Sequence, residues 1–321
     1  MTGNKTLTNK IDFAVIISVT KANPNGDPLN GNRPRQTYGG FGEISDVCLK
    51  RKIRNRLQGM GESIFVQSND NRAPGDEFRS LHDRFKAALD RWEKDAKEKR
   101  TNYDDIRDNA HKEWFDVRAF GQVFAFPAPA KKKKKTADEG AGSDGVSIGI
   151  RGPVTIQSAF SIEPITPDSL QITKSVSLET NEEKGADTMG MKHRVDKGVY
   201  VTSGAINTQL ASKTGFSDDD AEKIKNALRT LFVNDASSAR PEGSMEVMKV
   251  IWWLHNSPSG QYSSAKVHRS LNVKADGTYE LGTLNGLTPE ELGPLEGEDL
   301  EKLHKRQRTG QGGTHRNALS A

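Results

Sequence analysis

Two β-branched runs dominate the hydrophobic pattern. Residues 11–20 (Ile-Asp-Phe-Ala-Val-Ile-Ile-Ser-Val-Thr) predict a buried strand, and Met245–His255 predicts a second, strongly apolar one. Between them His193–Asn207 alternates with a period of two, and 146–163 and 170–178 read as further strands, with a short one near Ile64–Gln67. Helical periods occur three times. Leu49, Ile53, Leu57 and Met60 form one stripe after a capping Ser45. Phe78, Leu81, Phe85, Leu89 and Trp92 form another inside the charged stretch Pro74–Glu113. Ile224, Leu228, Leu231 and Phe232 form the third, within Asp218–Phe232. Phe115–Phe126 is aromatic-rich and fits a helix or a strand, a helix ending near Pro127 being the reading preferred, and Lys266–Leu281 follows the last strand. Residues 127–145, with Lys131–Lys135 at their centre, read as a solvated loop, and the chain beyond Thr283 reads as a fraying tail. The order β-α-β, insertion, β-hairpin material, α-β predicts an α+β fold with an RRM-like or ferredoxin-like core.

The densest chemistry lies between Asn23 and Arg56. Residues 23–28 read Asn-Pro-Asn-Gly-Asp-Pro and 31–35 read Gly-Asn-Arg-Pro-Arg, which excludes a helix or a regular ladder there. The helix that follows carries Lys50, Arg51, Lys52, Arg54 and Arg56 off its apolar stripe, with no acid between Asp46 and Glu62. Solvated helix faces usually interleave both signs. A flexible loop that brings Arg33 and Arg35 beside five cations is therefore expected to meet a polyanion, through its backbone and not its sequence.

The whole chain adds limits. At 321 residues it can bury a large core as one or two domains, and a net charge of +4 means that basicity is local. One cysteine, Cys48, precludes an intramolecular disulfide and fits a reducing cytoplasm, and it is expected to be a packed thiol. Met1–Lys10 lacks a signal-peptide core, and the apolar runs Phe13–Ile17 and Val250–Leu254 are too short to span a bilayer. A cytoplasmic location with no membrane association is expected. No metal-ligand spacing, Walker A loop or tight dinucleotide turn is present, so neither cofactor nor metal is expected, and no catalytic residue is assigned. His193, between Lys192 and Arg194, is the single candidate for acid or base chemistry on RNA; a phosphate or structural contact is the expectation.

Met189-Gly190-Met191 interrupts a polar loop just before those cations. Two readings stand: methionines filling a gap under the loop, or an apolar wedge between bases while neighbouring cations hold phosphates.

These motifs occur in an order that identifies a resemblance. Asn-Pro-Asn-Gly-Asp-Pro, Arg-Pro-Arg (33–35), Asp-Val-Cys-Leu-Lys-Arg-Lys-Ile-Arg-Asn (46–55), Phe-Asp-Val-Arg-Ala-Phe-Gly (115–121), Arg-Gly-Pro-Val (151–154) and Met-Gly-Met-Lys-His-Arg-Val (189–195) resemble the backbone subunit of type I-C CRISPR Cascade, in the RAMP superfamily. The resemblance covers about 11–275. It implies an RRM-like palm (11–69, 114–169 and 193–281), a helical fingers insertion (70–113) and a β-hairpin thumb (170–192); the flexible tail at 282–321 is expected from its composition and lies outside the resemblance. The resemblance also implies a non-enzymatic subunit that polymerises along CRISPR RNA and presents the guide for pairing with target DNA in antiviral defence. The implied partners are further copies of the chain, guide-processing, large and small subunits, and a recruited helicase–nuclease. The resemblance maps a phosphate-holding helix onto Lys50, Arg51 and Arg54 and a thumb tip onto the Met189 region; with the loop and the flanking residues read above, the expected RNA contacts are Asn23, Asn25, Arg33, Arg35, Lys50, Arg51, Arg54, Arg56, Met189, Met191, Lys192, His193 and Arg194. A RAMP-type CRISPR RNA endonuclease is the alternative.

Overall fold

β1 (Ile11–Ala22) runs through the centre of the protein, as its β-branched run requires; residues 11–17 are all buried. The computed structural model describes residues 5–95, 103–126, 146–173, 189–297 and 299–301. After β1, β2 (Gly26–Asp27) and β3 (Arg33–Pro34) pair with each other around a 3-10 turn at Pro28–Asn30, and β4 (Phe41–Ile44) follows. The stretch predicted as loop is thus pinned by short ladders. Then come α1 (Asp46–Gly59), α2 (Leu81–Asp95), α3 (Tyr103–Glu113), α4 (Phe115–Phe120), β5 (Gly121–Phe126) and β6 (Val146–Arg151). Strands β7 (Val154–Ile156), β8 (Ala159–Pro164), β9 (Pro167–Thr173) and β10 (Met189–Ile206) precede α5 (Thr208–Thr214) and α6 (Asp218–Arg229). The last elements are β11 (Met245–Leu254), α7 (Ser264–Arg269), β12 (Leu271–Val273), β13 (Tyr279–Leu281) and β14 (Glu290–Leu292).

The main sheet has the order β14-β11-β1-β10-β8-β4, and every pairing in it is antiparallel. β10, at 18 residues, is long enough to take β7, β8 and β9 in succession along one edge while β1 holds the other. On one face Phe13, Val15, Ile17 and Val19 meet Leu49, Ile53 and Leu57 of α1 and Ile224 and Leu228 of α6. On the other, Ala14, Ile251 and Trp253 lie under Val267 and Leu287. Each such fully buried large side chain contributes about 1.5–3 kcal/mol.

A second cluster stands apart from this core. Phe85, Ala88 and Trp92 of α2 pack with Ile106 and Ala110 of α3, Trp114, Phe124 of β5, and Ile148 and Ile150 of β6. The stripe read in 74–113 is therefore buried at Phe85 and Trp92, but its first members, Phe78 and Leu81, are exposed.

Three expectations are corrected. Ile64–Gln67 is irregular: Ile64 and Phe65 are buried, but the backbone there bends to deliver Phe65 and Val66 N–H groups to the Asp116 carboxylate. Phe115–Phe126 is not one helix. It switches to strand at Gly121, whose φ of 79° is open to glycine at little cost. A Cβ at Gly121 would also strike the Ile150 carbonyl. Of residues 282–321, read as a flexible tail, Glu290–Leu292 form a strand on β11 and Leu287 is buried. The loop 127–145, the tip of the 170–192 segment (174–188) and 302–321 lie outside the described residues. Among the described residues no helix is long and apolar enough to cross a membrane.

Candidate nucleic-acid interface

α1 forms where the sequence places it, with Ser45 Oγ accepting from Cys48 N–H at 3.3 Å. Its cations, however, do not form an outward stripe. Lys52 is buried and ion-paired with Asp235, and its pKa is lowered by burial against the pull of that carboxylate. Arg56 is buried, with Nε donating to Thr230 Oγ1 at 2.7 Å. Arg54 Nε donates to Asp116 Oδ2 at 2.9 Å and its guanidinium lies over Phe120. Lys50 is half-buried, 3.0 Å from Asp46 one turn earlier, which leaves Arg51 as the exposed cation of the helix. Three of the five helix cations are thus internal, and two of those three, Arg54 and Arg56, are among the expected RNA contacts. Cys48 is a partly buried thiol whose pKa is raised by burial, as expected of a packed cysteine.

The Asn-rich loop divides in the same way. Asn23 is buried, its Nδ2 donating to the Asn32 carbonyl at 2.7 Å. Asn25 Oδ1 accepts from both the backbone N–H (3.0 Å) and the hydroxyl (2.8 Å) of Ser45, and so locks the loop onto the start of α1. Both asparagines shape the loop. Arg33 is exposed, and Arg35 is partly so, 3.7 Å from Asp27. Beside them stand two apolar side chains that sequence reading missed, Leu29 (97% exposed) and Tyr38. The available signal was local: large apolar residues set in a turn-rich stretch that no period buries.

β9 and the start of β10 form a two-stranded ribbon with Met189 opposite Thr173, Met191 opposite Gln171 and His193 opposite Ser169. Met189 and Met191 are 66% and 54% exposed, so they fill no gap under a loop. Side chains alternate along a strand. Lys192 and Arg194 therefore leave the opposite face, beside Leu170 and Asp168, and Arg194 Nε lies 3.8 Å from Asp168. His193 is buried at the ribbon base with Nδ1 2.8 Å from Ser169 Oγ. Gly190 has ordinary room: an added Cβ would find Ile172 Cγ1 at 3.4 Å.

Sequence reading also missed Asp116. It is 1% exposed and accepts from Arg54 and from the backbone of Phe65 (2.7 Å) and Val66 (3.1 Å), so one carboxylate joins α1, the 63–67 segment and α4. Among the described residues no group of His, Cys, Asp and Glu is placed to hold a metal ion.

The chain belongs to the CRISPR-associated protein Cas7 family, whose sequence model matches residues 9–285. A protein of Haloferax volcanii described as CRISPR-associated protein Cas7 is 26% identical over 242 residues, covering 73% of this chain and 67% of that protein. Among solved structures, a chain of a CRISPR RNA-guided surveillance complex, pre-nicking, aligns over 94% of this chain and 86% of its own length, with 16% identity and a TM-score of 0.44. A chain of another CRISPR RNA-guided surveillance complex covers 84% and 77%, with 14% identity and a TM-score of 0.41.

Proposed function

We propose that this chain is a guide-RNA-binding backbone subunit of a type I-C Cascade complex, stacked in several copies along the guide. In this reading the strands β11-β1-β10-β8 with α1 and α6 are a ferredoxin-like, RRM-like palm, α2 and α3 belong to the fingers, and the β9–β10 ribbon is the base of the thumb. The observation that carries the reading is the exposure of Met189 and Met191 on that ribbon, within a family of CRISPR-associated proteins. An unbranched apolar side chain held in the open can replace stacking when a base is turned out. Arg33, Arg35, Arg51, Lys192 and Arg194 are the cations left to neutralise phosphates, which hold the strand without reading its sequence. Pairing with target DNA is then done by the guide.

The subunit holds its RNA and does not cut it. His193 is engaged with Ser169 at the base of the ribbon, which supports a positioning role. The partners proposed are further copies, the other Cascade subunits and a recruited helicase–nuclease. The test is the ratio of absorbance at 260 and 280 nm of the purified chain before and after a high-salt wash, with sequencing of the RNA retained. RNA of CRISPR repeat and spacer origin is expected. A chain that assembles free of RNA contradicts the reading, and site-specific cleavage lost in His193→Ala would move the endonuclease alternative ahead of it.

A further inference from the structure

β6 buries alternate residues. Ile148 and Ile150 enter the aromatic cluster, so Gly149 and Arg151 face outward. That outward face forms one wall of a cleft of about 540 Å³ whose other walls are Arg107 of α3 and Leu210, Lys213 and Thr214 of α5. Among the described residues three cations from three elements line it, and no acid does. Arg107 is held by its neighbours, Asp104 at 3.0 Å and Asp108 at 3.8 Å. Arg151 and Lys213 are exposed and, among the described residues, neither takes part in a salt bridge. A cation in the last turn of α5 suits the helix dipole, which accounts for Lys213 but not for its convergence with Arg151. Gly149 leaves the floor open, since nothing lies within 4 Å of where its Cβ would be.

We propose that this cleft is a second nucleic-acid contact, holding the phosphates of a strand other than the one at the β9–β10 ribbon. The volume is in the range of about 300–1,000 Å³ that accepts a small ligand, enough for phosphate and sugar. A protein partner would need an apolar centre to its interface, and here, among the described residues, the large apolar residues lining the cleft are Leu210 and Ile150, the latter turned into the aromatic cluster. Arginine offers a fork of donors that fits a phosphate, and lysine a point charge. The cleft is also far from the ribbon. α5 starts just after Ile206 at one end of β10, and Met191 lies near the other end. At about 3.3 Å per residue the two are on the order of 50 Å apart. The cleft can therefore hold its strand whether or not the ribbon binds guide RNA.

The test uses the full chain as purified and a fluorescein-labelled oligothymidylate, with affinity measured by anisotropy between about 50 and 200 mM salt. Arg151→Glu with Lys213→Glu is expected to weaken binding at least tenfold. The slope of log affinity against log salt should flatten by about 1.4, since each single-strand phosphate that a cation neutralises adds about 0.7. The 260/280 nm ratio of the purified chain should stay at the wild-type value, which separates this site from any guide site. Arg151→Gln with Lys213→Gln should lower affinity in the same direction and covers the case in which the charge reversal fails to fold. Unchanged affinity and slope in the Gln pair would overturn the proposal. So would simultaneous loss of co-purified RNA, which would make the cleft part of one guide surface, or displacement by polyglutamate as effective as by unlabelled oligothymidylate, which would make it a site for acidic protein.

Discussion

Arg54 Nε lies 2.9 Å from Asp116 Oδ2, and the same carboxylate takes the backbone N–H groups of Phe65 and Val66. The pair is nearly closed to solvent, with side-chain exposures of 14% and 1%. Removing one partner of a buried pair strands the other charge, at about 3–5 kcal/mol. Asp116→Ala should therefore lower the unfolding free energy by that order, read as a lower urea midpoint at unchanged slope, and Arg54→Glu should do the same by setting two carboxylates together. Arg54→Glu would then lose RNA only as far as it loses the fold. If it melts like the wild type yet purifies without RNA, Arg54 is a phosphate contact and not a strut.

The exposed cations behave differently. Arg33→Glu with Arg51→Glu removes no internal contact of consequence, so stability should change by no more than about 0.5 kcal/mol per site. RNA affinity should fall, and the salt slope should flatten by about 0.7 for each phosphate no longer neutralised. Retention of RNA at the wild-type ratio and slope would remove the loop and α1 from the interface.

Acid sensitivity follows from two histidines. His111 and His268 both have pKa values pushed below the ordinary histidine value by burial. His268 Nε2 lies 3.0 Å from the Gly204 carbonyl and 3.6 Å from Asp12, whose carboxylate also meets His255 and Lys10; Asp108 is the acid nearest His111. Below about pH 6.5 the unfolded chain takes up protons at these sites before the folded one does, so stability falls as pH falls. The denaturation midpoint should be lower at pH 5.5 than at pH 7.5, and the difference should shrink in His268→Gln. Equal midpoints at the two pH values would contradict this.

The parts of the fold that sequence made legible were those set by local period. Leu49, Ile53 and Leu57 mark the buried stripe of α1, and the runs at 11–20 and 245–255 mark β1 and β11. What local pattern could not show was the second layer around α1. Lys52, Arg54 and Arg56 look solvated by their neighbours in sequence. Their partners, Asp235, Asp116 and Thr230, arrive from 60 or more residues away. β14 was hidden for a related reason: Glu290-Glu291-Leu292 carries little apolar signal, and its strand conformation comes from the edge of β11. Asp116 had a signal that went unused, an acid between Phe115 and Val117 in an apolar stretch. Met189-Gly190-Met191 was visible as a motif, because methionine in a polar stretch stands out without knowing the fold; that it lies on a strand paired with β9, and not in the loop, was not.

That ribbon supplies the most direct test. If Met189 and Met191 wedge between guide bases, nucleotides of the bound RNA are turned out at regular intervals, and chemical probing of the co-purified RNA should give a periodic pattern of hyper-reactive positions. Met189→Gly with Met191→Gly removes the apolar surface that offsets unstacking, about 1–3 kcal/mol per base. With both side chains largely exposed, the variant should fold as the wild type does and still retain RNA through Arg33, Arg51, Lys192 and Arg194, while the periodic pattern disappears. A destabilised variant whose bound RNA keeps the wild-type periodic pattern would contradict the account.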